Sequence, residues 1–198
     1  MMETITLAGL REDVRKRILL AAEKLFAERG FDGTSVQKIT ETAGVNKAMI
    51  YYYFHDKLSL YRELLRVGLE SVRAALDEAM KHAGAEQRLR AFLTTYYEIV
   101  AARPQLAHLV YGAILGYGPR RENNLASQLR LHIKRLEKII DEGQRVGELK
   151  PIDSMLTAYS FFGMSNIFVT AHIVAGKALD IPTIVEHTLQ LFFHGASI

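Results

Sequence analysis

The stretch Thr34–Lys57, TSVQKITETAGVNKAMIYYYFHDK, leaves a chain little freedom of fold. It holds two short helix-forming segments separated by Ala43-Gly44-Val45. Thr34 is followed three residues later by Gln37, the spacing of a capping box, which predicts a helix over 35–42. Val36, Ile39 and Ala43 then share one face. Gly44 can take the left-handed conformation that ends a helix without Cβ strain. Asn46 is a good N-cap, so a second helix is expected over 47–54. Two short helices joined by a tight turn with Gly make the pattern of a helix-turn-helix.

Placed on a wheel at about 100° per residue, the second helix divides by chemistry. Lys47, Ala48, Tyr51, Tyr52 and His55 share an arc of about 140°. Met49, Ile50 and Tyr53 lie opposite, with Phe54 at the edge. The apolar side suits packing on neighbouring helices. The polar side suits DNA: Lys neutralises phosphate or donates to a guanine edge, Tyr hydroxyls donate to phosphate, and Ala allows close approach and contact with a thymine methyl. Each Tyr taken singly is equally an ordinary packing residue; the constellation carries the inference. Thr34, Ser35, Gln37 and Asn46, at the start of the first helix and in the turn, complete this set of candidate DNA contacts.

Phe31-Asp32-Gly33-Thr34-Ser35-Val36, then Ile39, Ala43-Gly44-Val45, Ile50-Tyr51, Phe54 and Lys57, with Leu60 after them, resemble the DNA-binding domain of TetR-family transcriptional regulators. The resemblance covers about residues 12–65; beyond it only length and helical layout are similar. It implies that Lys57, like the matching family Lys, reaches phosphate. It also implies a dimer, and an apolar pocket among the fourth to eighth helices whose ligand shifts the fourth helix and the spacing of two recognition helices. Candidates for lining such a pocket are Tyr96, His108, Tyr111, Tyr159 and Phe162, each of which also reads as plain packing.

The chain has 198 residues, enough for a sizeable core, and 49% of them are apolar. Its formal charge of +3 is weak evidence for nucleic acid by itself. Helical periodicity continues throughout, so an all-α fold of about nine helices is expected. After a loose arm over 1–10, a first helix spans 12–29, with Val14, Ile18, Ala22, Leu25 and Phe26 inside and Arg11, Arg15, Lys16 and Arg17 at its start. A charge run of that kind is usually a solvated face, and beside a helix-turn-helix one or two of the four can face phosphate. A fourth helix over 56–82, capped by Asp56, then connects a DNA-binding domain at 1–55 to an effector-binding and dimerisation domain at 56–198. Further helices are expected over 86–102, 104–115 from Pro104, 122–145, 152–175 and 182–194.

The helix over 152–175 is apolar around nearly its whole circumference, which demands burial on more than one side. With the last helix it is expected to form a two-fold dimer interface through Met155, Tyr159, Gly163, Ile167, Ile184 and Leu191. Two recognition helices would then read a palindromic operator in double-stranded DNA.

Several classes are set aside by the residues. Cysteine is absent, removing disulfides, thiolate chemistry and Cys-based zinc sites. The seven histidines show no ligand spacing, and no HExxH, GxSxG, P-loop or GxGxxG occurs, so no enzyme, metal or cofactor is expected. No secretory signal and no uninterrupted apolar run of membrane-spanning length are seen, which fits the cytoplasm. The expected protein is a DNA-binding regulator, most simply a repressor, released by an unknown small apolar or amphipathic effector. The alternatives are a helical interaction module and a DNA binder without a ligand.

Overall fold

The computed structural model describes residues 7–116, 118–119 and 125–194. Among the described residues there are nine α-helices and no strand: α1 (Leu7–Arg29), α2 (Val36–Ala43), α3 (Lys47–Phe54), α4 (Lys57–Ala79), α5 (Ala85–Ala102), α6 (Pro104–Ile114), α7 (Leu125–Arg145), α8 (Ser154–Ala175) and α9 (Ile181–His194). The expected helices recur with ends shifted by a few residues. The largest change is α1, which begins at Leu7, so residues 7–10 of the expected loose arm are helical. Ala8, Leu10 and Arg11 are strong helix formers, and a single Gly9 does not interrupt them. The expected start of α7 at 122 lies outside the described residues.

The packing forms two compact units. The first draws its residues from 1–68 and 108–122, the second from 69–107 and 123–198. The first unit is thus larger than a domain ending at 55. The reason is the first half of α4: Leu60, Tyr61, Leu64 and Leu65 are buried. Tyr61 meets Phe26 edge-on at 5.3 Å and Phe31 at 5.2 Å, while Phe26 and Phe31 stack at 5.7 Å. Glu63 pairs with Arg15 of α1. Ile18, Ala22, Leu25, Ile39, Ile50 and Phe54 complete this small core.

The second unit is built on α5 and α7. Leu89, Phe92, Leu93 and Tyr97 of α5 meet Ile133, Leu136, Ile139 and Ile140 of α7, with Phe161 of α8 and Leu189 of α9. Polar groups inside are satisfied. The Tyr97 hydroxyl donates to the Ser165 carbonyl at 3.0 Å and the Tyr96 hydroxyl to Asn166 Oδ1 at 2.9 Å. A Cβ on Gly143 would stand 2.7 Å from that of Ala85, so glycine is what lets α7 meet the start of α5. Among the described residues, α8 alone is long and apolar enough to cross a membrane by length and composition. Its inner face, Ala158, Phe161, Ser165, Asn166 and Val169, is buried in the bundle instead. Burial is one-sided, because Leu156, Tyr159, Ile167 and Val174 remain exposed.

Candidate nucleic-acid interface

The hydroxyl that caps α2 belongs to Ser35, which accepts from the Lys38 N–H at 3.1 Å. The adjacent Thr34, expected to cap, is turned inward. It is 1% exposed, and its hydroxyl donates to the carbonyls of Gly30 at 2.8 Å and Leu25 at 3.1 Å. Thr34 therefore leaves the set of candidate DNA contacts and becomes an anchor of the α1–α2 loop. Gln37 stays exposed and donates to Glu41 at 3.1 Å.

Helix α2 ends as expected at Gly44, whose φ is 63°. The Val45 N–H returns to the Thr40 carbonyl at 3.0 Å and the Gly44 N–H to Glu41 at 3.3 Å, the paired bonds of a Schellman ending. Asn46 caps α3 by accepting from Ala48 N–H at 3.0 Å. Ile50 and Phe54 then bury fully, while Met49 and Tyr53 are half-buried. This leaves Lys47, Ala48, Tyr51, Tyr52 and His55 exposed together on the opposite side. Tyr51 and Tyr52 are 47% and 62% exposed and open to a partner.

The far end of α3 is held by a strained joint. His55 has a φ of 63° and a ψ of −45°, with Asp56 N–H donating to the Phe54 carbonyl at 2.7 Å. That two-residue hydrogen bond with positive φ is the rare, strained form of γ-turn. Asp56 then caps α4, accepting from Ser59 N–H at 2.6 Å. This bond holds the Asp56 carboxyl below its ordinary pKa.

Lys57 has partners within the protein. Its Nζ donates to the carbonyls of Phe31 and Thr34, both at 2.9 Å, and lies 4.2 Å from the Phe31 ring centroid. Two of its three N–H groups thus close the α1–α2 loop, which makes it a structural clamp in this structure. Two arginines near the middle of α1 are committed in the same way. Arg15 pairs with Glu63 and sits over Phe54, and Arg17 donates to the end of α2. Lys16 and Arg11 remain exposed. Neither clamp is marked by a residue pattern, since both bond to backbone carbonyls 23 or more positions away.

The five candidate effector residues differ in burial and in the unit they belong to. Tyr96 is core, with its hydroxyl satisfied and its ring stacked on Phe92. Phe162 is half-buried against the same core, and Tyr159 is exposed. His108 and Tyr111 belong to the first unit. The second unit has an open groove of about 1040 Å³ lined by Gln144, Leu149, Leu156, Ser160, Met164 and Phe192 among others, and it contains none of the five. Of the six dimer candidates, Tyr159, Gly163, Ile167 and Leu191 are exposed, whereas Met155 and Ile184 pack inward. Leu156 and Val174 of α8 are also exposed.

Among the described residues no group of three or more His, Cys, Asp or Glu side chains is placed to hold a metal ion.

Two family models match successive parts of the chain. The model of bacterial regulatory proteins of the tetR family matches residues 18–64. A tetracyclin repressor-like C-terminal domain matches residues 82–170. The HTH-type transcriptional regulator RutR of Escherichia coli strain K12 is 30% identical over 139 residues, which are 70% of this chain and 66% of RutR. The transcriptional regulator FadR from Bacillus subtilis, solved in complex with stearoyl-CoA, superposes with a TM-score of 0.78 at 23% identity, covering 92% of this chain and 99% of that one. AibR, solved in complex with isovaleryl coenzyme A and operator DNA, superposes with a TM-score of 0.75 at 20% identity, covering 91% and 98%. At these identities the two structures speak to the fold.

Proposed function

We infer how this chain works from the premise that it belongs to the TetR family of bacterial regulatory proteins and is a transcriptional regulator, not an enzyme. The proposed action is repression by a homodimer that sets two α3 helices in successive major grooves of a palindromic operator. The observation that carries it is the exposed face of Lys47, Ala48, Tyr51, Tyr52 and His55, backed by buried Ile50 and Phe54. A single α3 of eight residues reaches too few base edges for useful specificity, hence the dimer.

The proposed dimer contact is the stripe Leu156, Tyr159, Gly163, Ile167 and Val174 on α8, joined by Leu191 of α9. The five α8 positions fall within a narrow arc at helical spacing. A Cβ on Gly163 would meet nothing within 4 Å in the protomer, which leaves room for another helix to approach closely. Burying such side chains contributes about 1.5–3 kcal/mol each, set against an association cost of about 4–15 kcal/mol.

The proposed effector is an amphipathic acyl thioester. FadR is described with stearoyl-CoA and AibR with isovaleryl coenzyme A and operator DNA, and both share this fold. Helix α4 supplies residues to both compact units, and is the proposed route by which occupancy of the second changes the first. The effector must bind the released state more tightly than the bound one. Acting on DNA, the protein would work in the cytoplasm, without a membrane partner.

The test is selection of bound duplex from a random pool, followed by titration of the complex with acyl-CoA thioesters of increasing chain length. Enrichment of a palindrome that acyl-CoA dissociates supports the proposal. Enrichment that no acyl-CoA affects removes the effector, and the absence of enrichment removes DNA reading.

A further inference from the structure

We propose that Arg17 is a positioning residue for operator reading: from α1 its guanidinium holds the carbonyl end of α2 and so fixes the turn from which α3 starts. The proposal rests on α3 being the DNA-reading helix.

The geometry is specific. Arg17 Nη2 lies 2.6 Å from the Ala43 carbonyl oxygen and 2.8 Å from that of Gly44. Its Nη1 is turned towards Asp13, 3.8 Å away. The Schellman bonds use the carbonyls of Thr40 and Glu41, and Arg17 supplies donors to those of Ala43 and Gly44 further out. A cation at the C-terminal end of a helix also meets the negative end of its dipole. Gly44 lies directly against this contact. A Cβ there would stand 2.8 Å from Arg17 Nη2, in addition to being strained at a φ of 63°. A side chain at Gly44 would push the guanidinium aside, while the left-handed backbone is what requires glycine there.

What the contact controls follows from distance along the chain. Lys47 and Ala48 lie three and four residues beyond Gly44, in the first turn of α3. Donor–acceptor distances to base edges tolerate only a few tenths of an ångström. A turn free to shift by more than that misplaces Lys47 and Ala48 even while Ile50 and Phe54 keep α3 in its core. Arg17 therefore acts on discrimination, through the turn, and touches no base.

The experiment uses the full chain, the duplex it selects from a random pool and an unrelated duplex of equal length. Dissociation constants are measured across a salt series for wild type, Arg17→Met and Arg17→Lys, with a thermal melt for each. Arg17→Met is expected to weaken the selected duplex on the order of tenfold, the scale of hydrogen bonds to a charged group. The unrelated duplex and the slope of log K against log salt stay as in wild type. Arg17→Lys, whose ammonium can donate to both carbonyls, restores selective binding. Two results overturn the proposal: Arg17→Met binding the selected duplex as wild type does, or both duplexes weakening with a salt slope reduced by about one, the mark of a lost phosphate contact. If Arg17→Met has no cooperative melt, Arg17→Lys decides. A folded Lys variant that reads like wild type supports the proposal, and a folded one that has lost selectivity overturns it. A wild-type chain that selects no duplex fails α3 as the reader, a result distinct from equal binding by wild type and Arg17→Met.

Discussion

Lys57 reaches back across 26 residues to Phe31, its Nζ 2.9 Å from the Phe31 carbonyl oxygen and 4.2 Å from the centroid of the ring. One side chain so placed joins the start of α4 to the loop after α1, and the carbonyl of Thr34 completes the grip. Replacing it with Met keeps the length and removes every donor. The expected cost to the first unit is about 1–3 kcal/mol, since hydrogen bonds to a charged group are lost while the site stays partly solvated. A thermal melt of Lys57→Met checks this. A melt like wild type, with a salt slope of DNA binding lower by about one, would assign Lys57 to phosphate instead.

His55 stores strain where α3 meets α4. A non-glycine residue at a φ of 63° in a γ-turn costs roughly 1–3 kcal/mol. His55→Gly removes that cost and adds the backbone entropy of an unfolded glycine, roughly 0.5–1 kcal/mol in the other direction. The variant is expected to melt at or above the temperature of wild type. A marked loss of stability would show that the imidazole itself holds the joint.

His132 of α7 is buried, and its pKa is lowered to about 4, first by burial and then by the neighbouring charge of Arg135. Arg73 adds to the lowering, while Glu70 and Asp77 oppose it. The unfolded state therefore takes up a proton near pH 6.5 that the folded state refuses until about pH 4. Stability is full above 6.5 and falls as pH drops through that window, by at most roughly 3 kcal/mol. Denaturant midpoints at pH 7 and pH 5 measure it, and His132→Leu is expected to show a smaller difference between the two.

Ile167 lies near the middle of the exposed stripe on α8 and is 60% exposed in the protomer. Ile167→Glu would place a charge in the proposed contact, where an unpaired buried charge is strongly unfavourable. Light scattering at micromolar concentration is expected to report a dimer for wild type and a monomer for the variant. A wild-type monomer sinks the dimer.

What sequence reading could and could not see divides along the range of the interactions. The bounds of α3 were legible because Gly44 and Asn46 punctuate it locally, and the structure returns 47–54. The cap of α2 was not, because two hydroxyls stand side by side and only the burial of Thr34 decides between them. The clamps of Arg17 and Lys57 left no trace, since their partners are backbone carbonyls brought near by folding. For the effector candidates, aromatic identity says nothing of burial. Tyr96 is a core ring with a satisfied hydroxyl, and Tyr159, on the same helix as half-buried Phe162, faces outward. The all-round apolar character of α8 was legible, and the structure resolves it into an inner buried face and an outer exposed stripe.

The most direct measurement is binding of the selected duplex by Lys47→Ala and Tyr51→Ala, two substitutions on the exposed face of α3. Loss of a base contact by Lys47→Ala is expected to cost about 1–3 kcal/mol in binding and to relax selectivity at one position. Loss of a phosphate contact by Tyr51→Ala weakens all duplexes alike. If both variants retain wild-type affinity and selectivity with unchanged melts, α3 is not the element that reads DNA.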